Sequence, residues 1–272
     1  MELTQYQVEI AAWRQKLDES LQRENGWLAL AGLFWLNEGD NAFGSDPENA
    51  VVVPGNVAAH LGVFRLTADT ITLHTTLAAN VRINGEKIET ATLLPDTSET
   101  PTLVTVGLVT MVVKQLEGLY AIRLWDNGRP ERYTFSGRHW YPIQESYRLT
   151  AIFTPYETPE VVTLSRSVGA DFESQPIGYV NFTLGGQDLC FTALQEGSSG
   201  LFLPFRDATN GQKTYKAGRY LRTEVPQNGR VILDFNKAYH PPCFFTPYAT
   251  CTLPPSQNWL EMAIEAGEHK PA

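Results

Sequence analysis

The chain has 272 residues, of which 43% are apolar, and its formal net charge is -9. This length suits one large domain or two of ordinary size, and we expect two. The acidic charge argues against nucleic acid and anionic membranes as partners, because both require a basic surface. A small-molecule ligand, a protein partner or a second copy of the chain remain as candidate partners.

The sequence predicts a cytoplasmic protein. No stretch reaches the roughly 20 apolar residues of a membrane-spanning helix, and the first residues lack the basic end and apolar centre of a secretory signal. Three cysteines, an odd number, do not suit the disulfide framework of a secreted domain. We therefore expect the thiols to be reduced.

Residues 1–39 are predicted to form a helical lead-in. Thr4 is suited to cap a helix, and Gly26 follows its last turn. The following segment, "GWLALAGLFWLNEG", is apolar but interrupted by glycine, which predicts a short helix or turn. The apolar positions that recur at helical spacing are Ile10, Trp13, Leu17 and Leu21.

Residues 40–127 are predicted to form an antiparallel β-sandwich. Short runs rich in Val, Ile, Leu and Thr, such as "GVFRLTADTITLHTTL", are bounded by Gly, Asn, Asp and Pro. The Asn84–Gly85 pair predicts a tight hairpin, because both residues tolerate the positive φ that such turns require.

Residues 128–272 are predicted to form a second antiparallel β domain. Further strand-like runs, including "IGYVNFTLGGQDLCFTALQ" and "RVILDFN", follow one another with few helical patterns between them. The last segment, "SQNWLEMAIEAGE", is predicted to be a short helix with Asn258 and Glu261 spaced as a capping box and Gly267 at its end. The fold class is therefore mainly β.

The stretch "NAFGSDPENAVVVPGNVAAHLGVFRLTADTITLHTTLAANVRINGEKI" resembles the forkhead-associated (FHA) sandwich. In that family an arginine and a serine hold phosphothreonine, but Ser45 and Val57 stand at those positions here. Phosphate needs charge-assisted donors, so we expect no phosphopeptide recognition, and we expect a structural role for His60. The residues that match the family pattern are Gly44, His60, Asn84 and Gly85.

Three longer stretches resemble a different family over nearly the whole chain. They are "GWLALAGLFWLNEG", "FRDATNGQKTYKAGRYL" and "DFNKAYHPPCFFTPYATCTLPPSQNWLEMAIEAGE". The chain is similar in them to the bacterial and archaeal DUF1684 family, which has no established function. The resemblance implies no particular chemistry.

Two arginines are the best candidates for an anion site. Arg206 follows a predicted strand that ends at Phe205, and Arg219 lies on the next strand. Together they could clamp a ligand carboxylate or phosphate. The alternative is structural, with these arginines paired to Asp207 or Asp234.

The segment "DFNKAYHPPCFFTPYATC" carries the other candidate residues. A buried Asp234 near His240 could tune the imidazole as an acid or base close to neutral pH, so we predict these two as catalytic. Tyr239 and Tyr248 are predicted to bind the ligand with Arg206 and Arg219 in an aromatic pocket. The stiff prolines after His240 would hold the pocket in place or would only close a core.

Two further interpretations of this segment stay open alongside simple packing. A zinc site would use His240, Cys243 and Cys251, but the seven-residue gap between the cysteines does not match convincing zinc motifs. A Cys243 nucleophile with His240 as base would require their side chains to meet across two prolines. No metal and no cofactor is predicted.

Two functions are consistent with these patterns. In the first, the second β domain binds a small, anionic molecule, with acid/base catalysis as an optional addition. In the second, the chain is a non-catalytic interaction module that presents the loops of its sandwich to a protein partner. The sequence carries no P-loop, no Gly-x-Ser-x-Gly elbow and no His-Glu-x-x-His motif, which removes the common hydrolase classes.

Overall fold

The computed structural model describes residues 4–158, 160–195 and 200–271. Two compact units make up the chain, one formed by residues 1–19 and 136–272 and the other by residues 20–135. The protein is mainly β, as the sequence predicts. Two α-helices occur in the described residues, α1 (Gln5–Gln22) and α2 (Pro130–Thr134). Neither is both long and apolar enough to cross a membrane.

Helix α1 begins where the sequence predicts. Thr4 Oγ1 accepts the backbone N–H of Gln7, and Gln7 Oε1 accepts the backbone N–H of Thr4. This reciprocal pair is a capping box, and it satisfies donors that the first turn would leave without a partner. Ile10 and Leu21, two of the predicted apolar positions, are fully buried.

The unit of residues 20–135 contains two five-stranded sheets. Their strand orders are β1-β10-β9-β8-β6 and β3-β2-β4-β5-β7, and all neighbours run antiparallel except β2 with β3. The strands are β1 (Leu30–Trp35), β2 (Gly39–Gly44), β3 (Val51–Val52), β4 (Gly62–Thr67), β5 (Thr70–Thr75), β6 (Arg82–Ile83), β7 (Thr90–Leu93), β8 (Val104–Val106), β9 (Val109–Leu116) and β10 (Leu119–Asp126).

The two sheets of this unit share one hydrophobic core. Strand β4 shows the alternation that produces it, because Phe64 and Leu66 are buried whereas Arg65 and Thr67 are exposed. The predicted turn at residues 84–85 is present, with both residues at positive φ. The prediction of a helix or turn for residues 26–39 was wrong over β1, which pairs with β10 as an edge strand.

The unit of residues 1–19 and 136–272 is built on a six-stranded antiparallel sheet, in the order β18-β17-β16-β15-β12-β19. Two short strand pairs, β11 with β20 and β13 with β14, complete it. The strands are β11 (His139–Trp140), β12 (Arg148–Pro155), β13 (Val162–Leu164), β14 (Phe172–Ser174), β15 (Gly178–Leu184), β16 (Gln187–Gln195), β17 (Leu201–Phe205), β18 (Arg219–Arg222), β19 (Arg230–Asp234) and β20 (Glu268–His269).

Aromatic packing defines the core of this unit. The rings of Phe182 and Phe191 lie 5.0 Å apart, and those of Phe205 and Phe235 lie 5.6 Å apart. After β19 the chain turns back to the opposite edge of the sheet, where Tyr239 exchanges two backbone hydrogen bonds with Tyr220 on β18. This bridge fixes the start of the proline-rich segment against the sheet.

The predicted helix near the carboxyl end is absent from the described residues. Only a 3₁₀ turn forms there, over Ser256–Asn258, and the chain continues without helix to β20. Asn258 does not cap a helix, because its buried side chain bonds the backbone N–H and carbonyl of Thr192 and the carbonyl of Pro204. Hydrogen bonds from this segment to β16 and β17 therefore take the place of the hydrogen bonds that a helix would make.

Candidate functional site

Asp234 holds the first helix in place. It ends β19 and accepts the backbone N–H of Asn236 at 3.1 Å, which starts a 3₁₀ turn. The hydroxyl of Tyr6 on α1 donates to the same carboxylate at 2.9 Å. Burial, together with the negative charge of Asp234, raises the pKa of Tyr6 far above its ordinary value, so the phenol stays protonated as a donor.

His240 is fully buried, and both of its ring nitrogens face protein groups. Nε2 accepts the backbone N–H of Tyr215 at 3.1 Å, and Nδ1 lies 3.1 Å from Glu268 Oε1. Since Nε2 is an acceptor, Nδ1 carries the proton of the neutral ring. Burial lowers the pKa of His240, although Glu268 opposes the shift.

Glu268 is the central charge of this region, and sequence analysis did not identify it. Its carboxylate accepts the backbone N–H of His240 at 2.7 Å and pairs with Arg138. Burial alone would raise the pKa of Glu268, but the bond with His240 and the charge of Arg138 lower it overall. No local pattern marks this glutamate, since its partners lie far away along the chain.

Arg219 is also fully buried, with its charge compensated inside the protein. The guanidinium binds Asp207 Oδ2 at 2.7 Å and donates to the carbonyl oxygens of Ile264, Ala266 and Glu268. The partners of the Arg219 charge and of these hydrogen bonds are thus all groups of the protein itself. This geometry is the structural ion pair that the sequence left open as an alternative.

The remaining predicted residues occupy separate surroundings. The guanidinium of Arg206 stacks over Trp259 at 4.4 Å, and Tyr239 packs edge-on against Trp13 and Tyr220. Tyr248 is half-buried, and its backbone N–H bonds Thr246 Oγ1.

Only part of the predicted set is brought together. Glu268 joins His240 to Arg219, because its carboxylate binds the former and its carbonyl the latter. Among the contacts of the described residues, none links Arg206 or Asp234 to His240. The ligand-binding and catalytic roles of these residues stay predictions.

A cleft of about 390 Å³ lies beside the proline-rich segment. Cys243, half-buried in the 3₁₀ turn Pro242–Phe244, is one of the residues that line it. The hydroxyl of Tyr215 donates to the Cys243 carbonyl at 3.1 Å, and the ring of Phe244 packs 4.4 Å from that of His240. The residues that line the cleft are Ser167, Val168, Tyr215, Cys243, Phe244, Phe245, Thr246 and Pro247.

The thiol of Cys243 is the most chemically distinctive group of the cleft. A hydrogen bond with the Cys251 side chain lowers the pKa of Cys243 to about 7, against the opposing effect of burial. Cys251, the buried donor, has its pKa raised by the same bond. The pKa of Cys243 is thus shifted below that of an ordinary thiol, which favours its thiolate form.

Cys251 is fixed by the neighbouring strand-like segment. Ser167 Oγ accepts the backbone N–H of Cys251 at 2.8 Å, and the Cys251 carbonyl accepts the backbone N–H of Ser167 at 2.8 Å. Its Sγ accepts the backbone N–H of Cys243 at 3.2 Å. The described residues contain no group of three or more His, Cys, Asp and Glu that could hold a metal ion.

The match to a protein-family model falls on this same part of the chain. The model of a family described as "Protein of unknown function (DUF1684)" matches residues 133–269. The chain belongs to this family. The DUF1684 match includes the cleft and the Arg219, His240 and Glu268 network, and it excludes the stretch that resembles the FHA sandwich. The resemblance to the FHA sandwich has no support from these comparisons.

Solved structures are also similar to the chain. One of them is the solution NMR structure of an uncharacterised protein from Haloarcula marismortui, with 34% sequence identity and a TM-score of 0.44. The match covers 52% of this chain and 81% of that one. No curated protein matched.

Proposed function

We propose that the DUF1684 part of the chain binds a small organic molecule in the cleft and that the Cys243 thiolate is the group that reacts with it. The observation that carries this proposal is the position of Cys243, which lines the cleft while the Cys251 side chain lowers the pKa of its thiol. Perturbed thiols in concave surroundings are typical of functional cysteines.

The lining of the cleft favours an uncharged ligand. Phe244, Phe245 and Pro247 supply apolar and aromatic surface, and the hydroxyl groups of Tyr215 and Thr246 supply a few polar contacts. Among the described residues that line the cleft, none is an arginine or a lysine. The anionic ligand suggested by the two arginines in the sequence is therefore less well matched to the cleft than an uncharged one.

The chemistry that suits this site is addition of the thiolate to a carbonyl carbon. Cys243 Sγ forms a bond to that carbon, the π electron pair moves to the carbonyl oxygen, and a proton from water completes the hydroxyl group. The lowered pKa of Cys243 favours the thiolate, so the step does not depend on a neighbouring base. His240 then supports the site through Tyr215 and does not itself transfer a proton.

The experiment is a screen for compounds that protect Cys243 from iodoacetamide, monitored by peptide mass spectrometry. A true ligand slows modification of Cys243, leaves the exposed Cys190 unprotected and raises the melting temperature. Val168→Trp, which fills the cleft, is expected to abolish the protection. Val161→Trp is the matched control, because Val161 is exposed and does not line the cleft.

Two results of this screen would contradict the proposal. One is a library of aldehydes, ketones and related metabolites in which no compound protects Cys243. The other is protection that persists unchanged in Val168→Trp, because the ligand would then bind elsewhere.

A further inference from the structure

The thiols of Cys243 and Cys251 form a pair with unequal access to solvent. Cys243 lines the cleft, whereas Cys251 is only 7% exposed. Cys251 Sγ accepts the Cys243 backbone N–H at 3.2 Å, which places the Cys251 sulfur beside residue 243. A small reagent that enters the cleft therefore meets Cys243 first.

The backbone holds the pair in this arrangement. Cys251 is anchored to Ser167 through its N–H and its carbonyl, and Cys243 sits in a 3₁₀ turn that begins at Pro242. Proline at that position fixes φ, which limits the conformations open to the turn. A disulfide needs the two sulfurs to come within about 2.05 Å, and the Cys251 sulfur already contacts the backbone of Cys243.

We propose that Cys243 and Cys251 are a peroxide-responsive thiol pair, in which Cys243 is the attacking and Cys251 the resolving residue. The Cys243 thiolate attacks one oxygen of a hydroperoxide, forms an S–O bond and releases the other oxygen as water or an alcohol after protonation. The Cys251 sulfur then attacks the sulfenic sulfur, forms the disulfide and releases water. The peroxide is reduced by two electrons, which the two thiols supply.

The order of attack follows from the ionisation of the two groups. Hydrogen bonds lower the pKa of Cys243, and the bond that Cys251 donates raises the pKa of Cys251. The titratable groups that face the pair are Tyr215 and Tyr220, both with pKa values raised mainly by burial, so they remain protonated near neutral pH. Closure of the disulfide would remove the nucleophile from the cleft.

The test is titration of the reduced protein with hydrogen peroxide at neutral pH. Peptide mapping is expected to show a disulfide between Cys243 and Cys251, with the loss of two hydrogen atoms that a reductant restores. Cys243 should be consumed roughly tenfold or more faster than Cys190, whose pKa is raised by burial. Cys190→Ser is the control and should oxidise as the wild type does.

A Cys251 variant separates the two steps. In Cys251→Ser the sulfenic acid on Cys243 has no resolving thiol, so dimedone should trap it and excess peroxide should carry it to the sulfinic acid. Cys251→Ala is a second variant with the same expected result. Wild-type Cys243 that reaches the sulfinic acid without any disulfide, or that oxidises no faster than Cys190, would overturn the inference.

The inference rests on the same thiolate as the proposed function but does not require a ligand. A disulfide that forms on oxidation while no compound protects Cys243 would leave the thiol pair standing and the binding proposal refuted. Protection of Cys243 by a ligand without disulfide formation would support the binding proposal and refute the thiol pair.

Discussion

His240 Nε2 accepts the backbone N–H of Tyr215 at 3.1 Å, so the buried imidazole fixes the residue whose hydroxyl borders the cleft. Glu268 in turn holds His240, because its carboxylate lies against ring Nδ1 and accepts the His240 backbone N–H. His240 is thus connected to the cleft through Tyr215. We interpret His240 as a residue that positions Tyr215.

Acidification should destabilise the protein through His240. Burial lowers its folded-state pKa, so the unfolded chain binds the proton more strongly, and the free energy of unfolding should fall as the pH drops below about 6.5. The charged groups around the ring are Glu268, Arg138 and Arg219. Urea denaturation between roughly pH 5 and pH 7 measures the slope.

Matched histidine variants identify the source of that slope. His240→Gln should flatten the dependence, whereas His139→Gln, at an exposed position, should keep the wild-type slope. A slope that is unchanged in His240→Gln would assign the titration to another group.

Removal of the Glu268 charge should be strongly destabilising. Glu268→Gln leaves Arg138 without its buried partner and weakens both contacts with His240, so we expect a loss of about 3–5 kcal/mol in the free energy of unfolding. Glu265→Gln is the control, because the pair of Glu265 with Lys213 is largely exposed and should contribute less than about 1 kcal/mol. Equal losses in the two variants would refute the central role of Glu268.

The two arginines predicted from the sequence should behave differently. Arg219→Met leaves Asp207 as an uncompensated buried charge, and we expect it to cost about 3–5 kcal/mol in chemical denaturation. Arg206→Met removes a stacking contact with Trp259 and should cost only about 0.5–1 kcal/mol. A stable Arg219→Met protein that has lost ligand binding would instead support the anion-clamp hypothesis.

The hydrogen bond from Cys251 should control the ionisation of Cys243. Cys251→Ala is expected to move the pH midpoint of Cys243 alkylation upward from about 7 towards the ordinary thiol value, because the thiolate loses its main donor. Tyr215→Phe is the control and should leave the midpoint nearly unchanged, because the Tyr215 hydroxyl donates to the Cys243 carbonyl and not to its thiol. Rates of iodoacetamide modification against pH give both midpoints, and an unchanged midpoint in Cys251→Ala would exclude this mechanism.

Local patterns predicted the elements whose partners are close in sequence. The capping of α1 at Thr4 and the turn at Asn84 and Gly85 depend on residues within a few positions of one another. The hairpin of β17 and β18 was also predicted, since the strand that ends at Phe205 is followed by turn residues. In these cases the sequence contains the whole interaction.

The prediction failed where distant segments take the backbone hydrogen bonds. The segment after Asn258 has helical spacing, but Leu260 donates its N–H to the Arg206 carbonyl, and the carbonyls of Ile264 and Ala266 accept from Arg219. These bonds replace the helical ones. A single sequence does not reveal them, because they join positions tens of residues apart.

The same limit applies to the candidate site. The types of residue in the proline-rich segment singled it out as the candidate site, but Glu268 and Ser167 reach it from elsewhere in the chain. The alternative of a Cys243 nucleophile with His240 as its base required the two side chains to meet across two prolines. In the structure the His240 ring faces Glu268 and the Tyr215 backbone.

The most direct test of the account is the pH dependence of iodoacetamide modification at each cysteine of the reduced wild-type protein, measured by peptide mass spectrometry across roughly pH 5 to 10. The account predicts that Cys243 reacts first, with a midpoint near 7, and that Cys190 reacts only at higher pH despite its exposure. A Cys243 that titrates as an ordinary thiol, or that reacts more slowly than Cys190 at neutral pH, would contradict it.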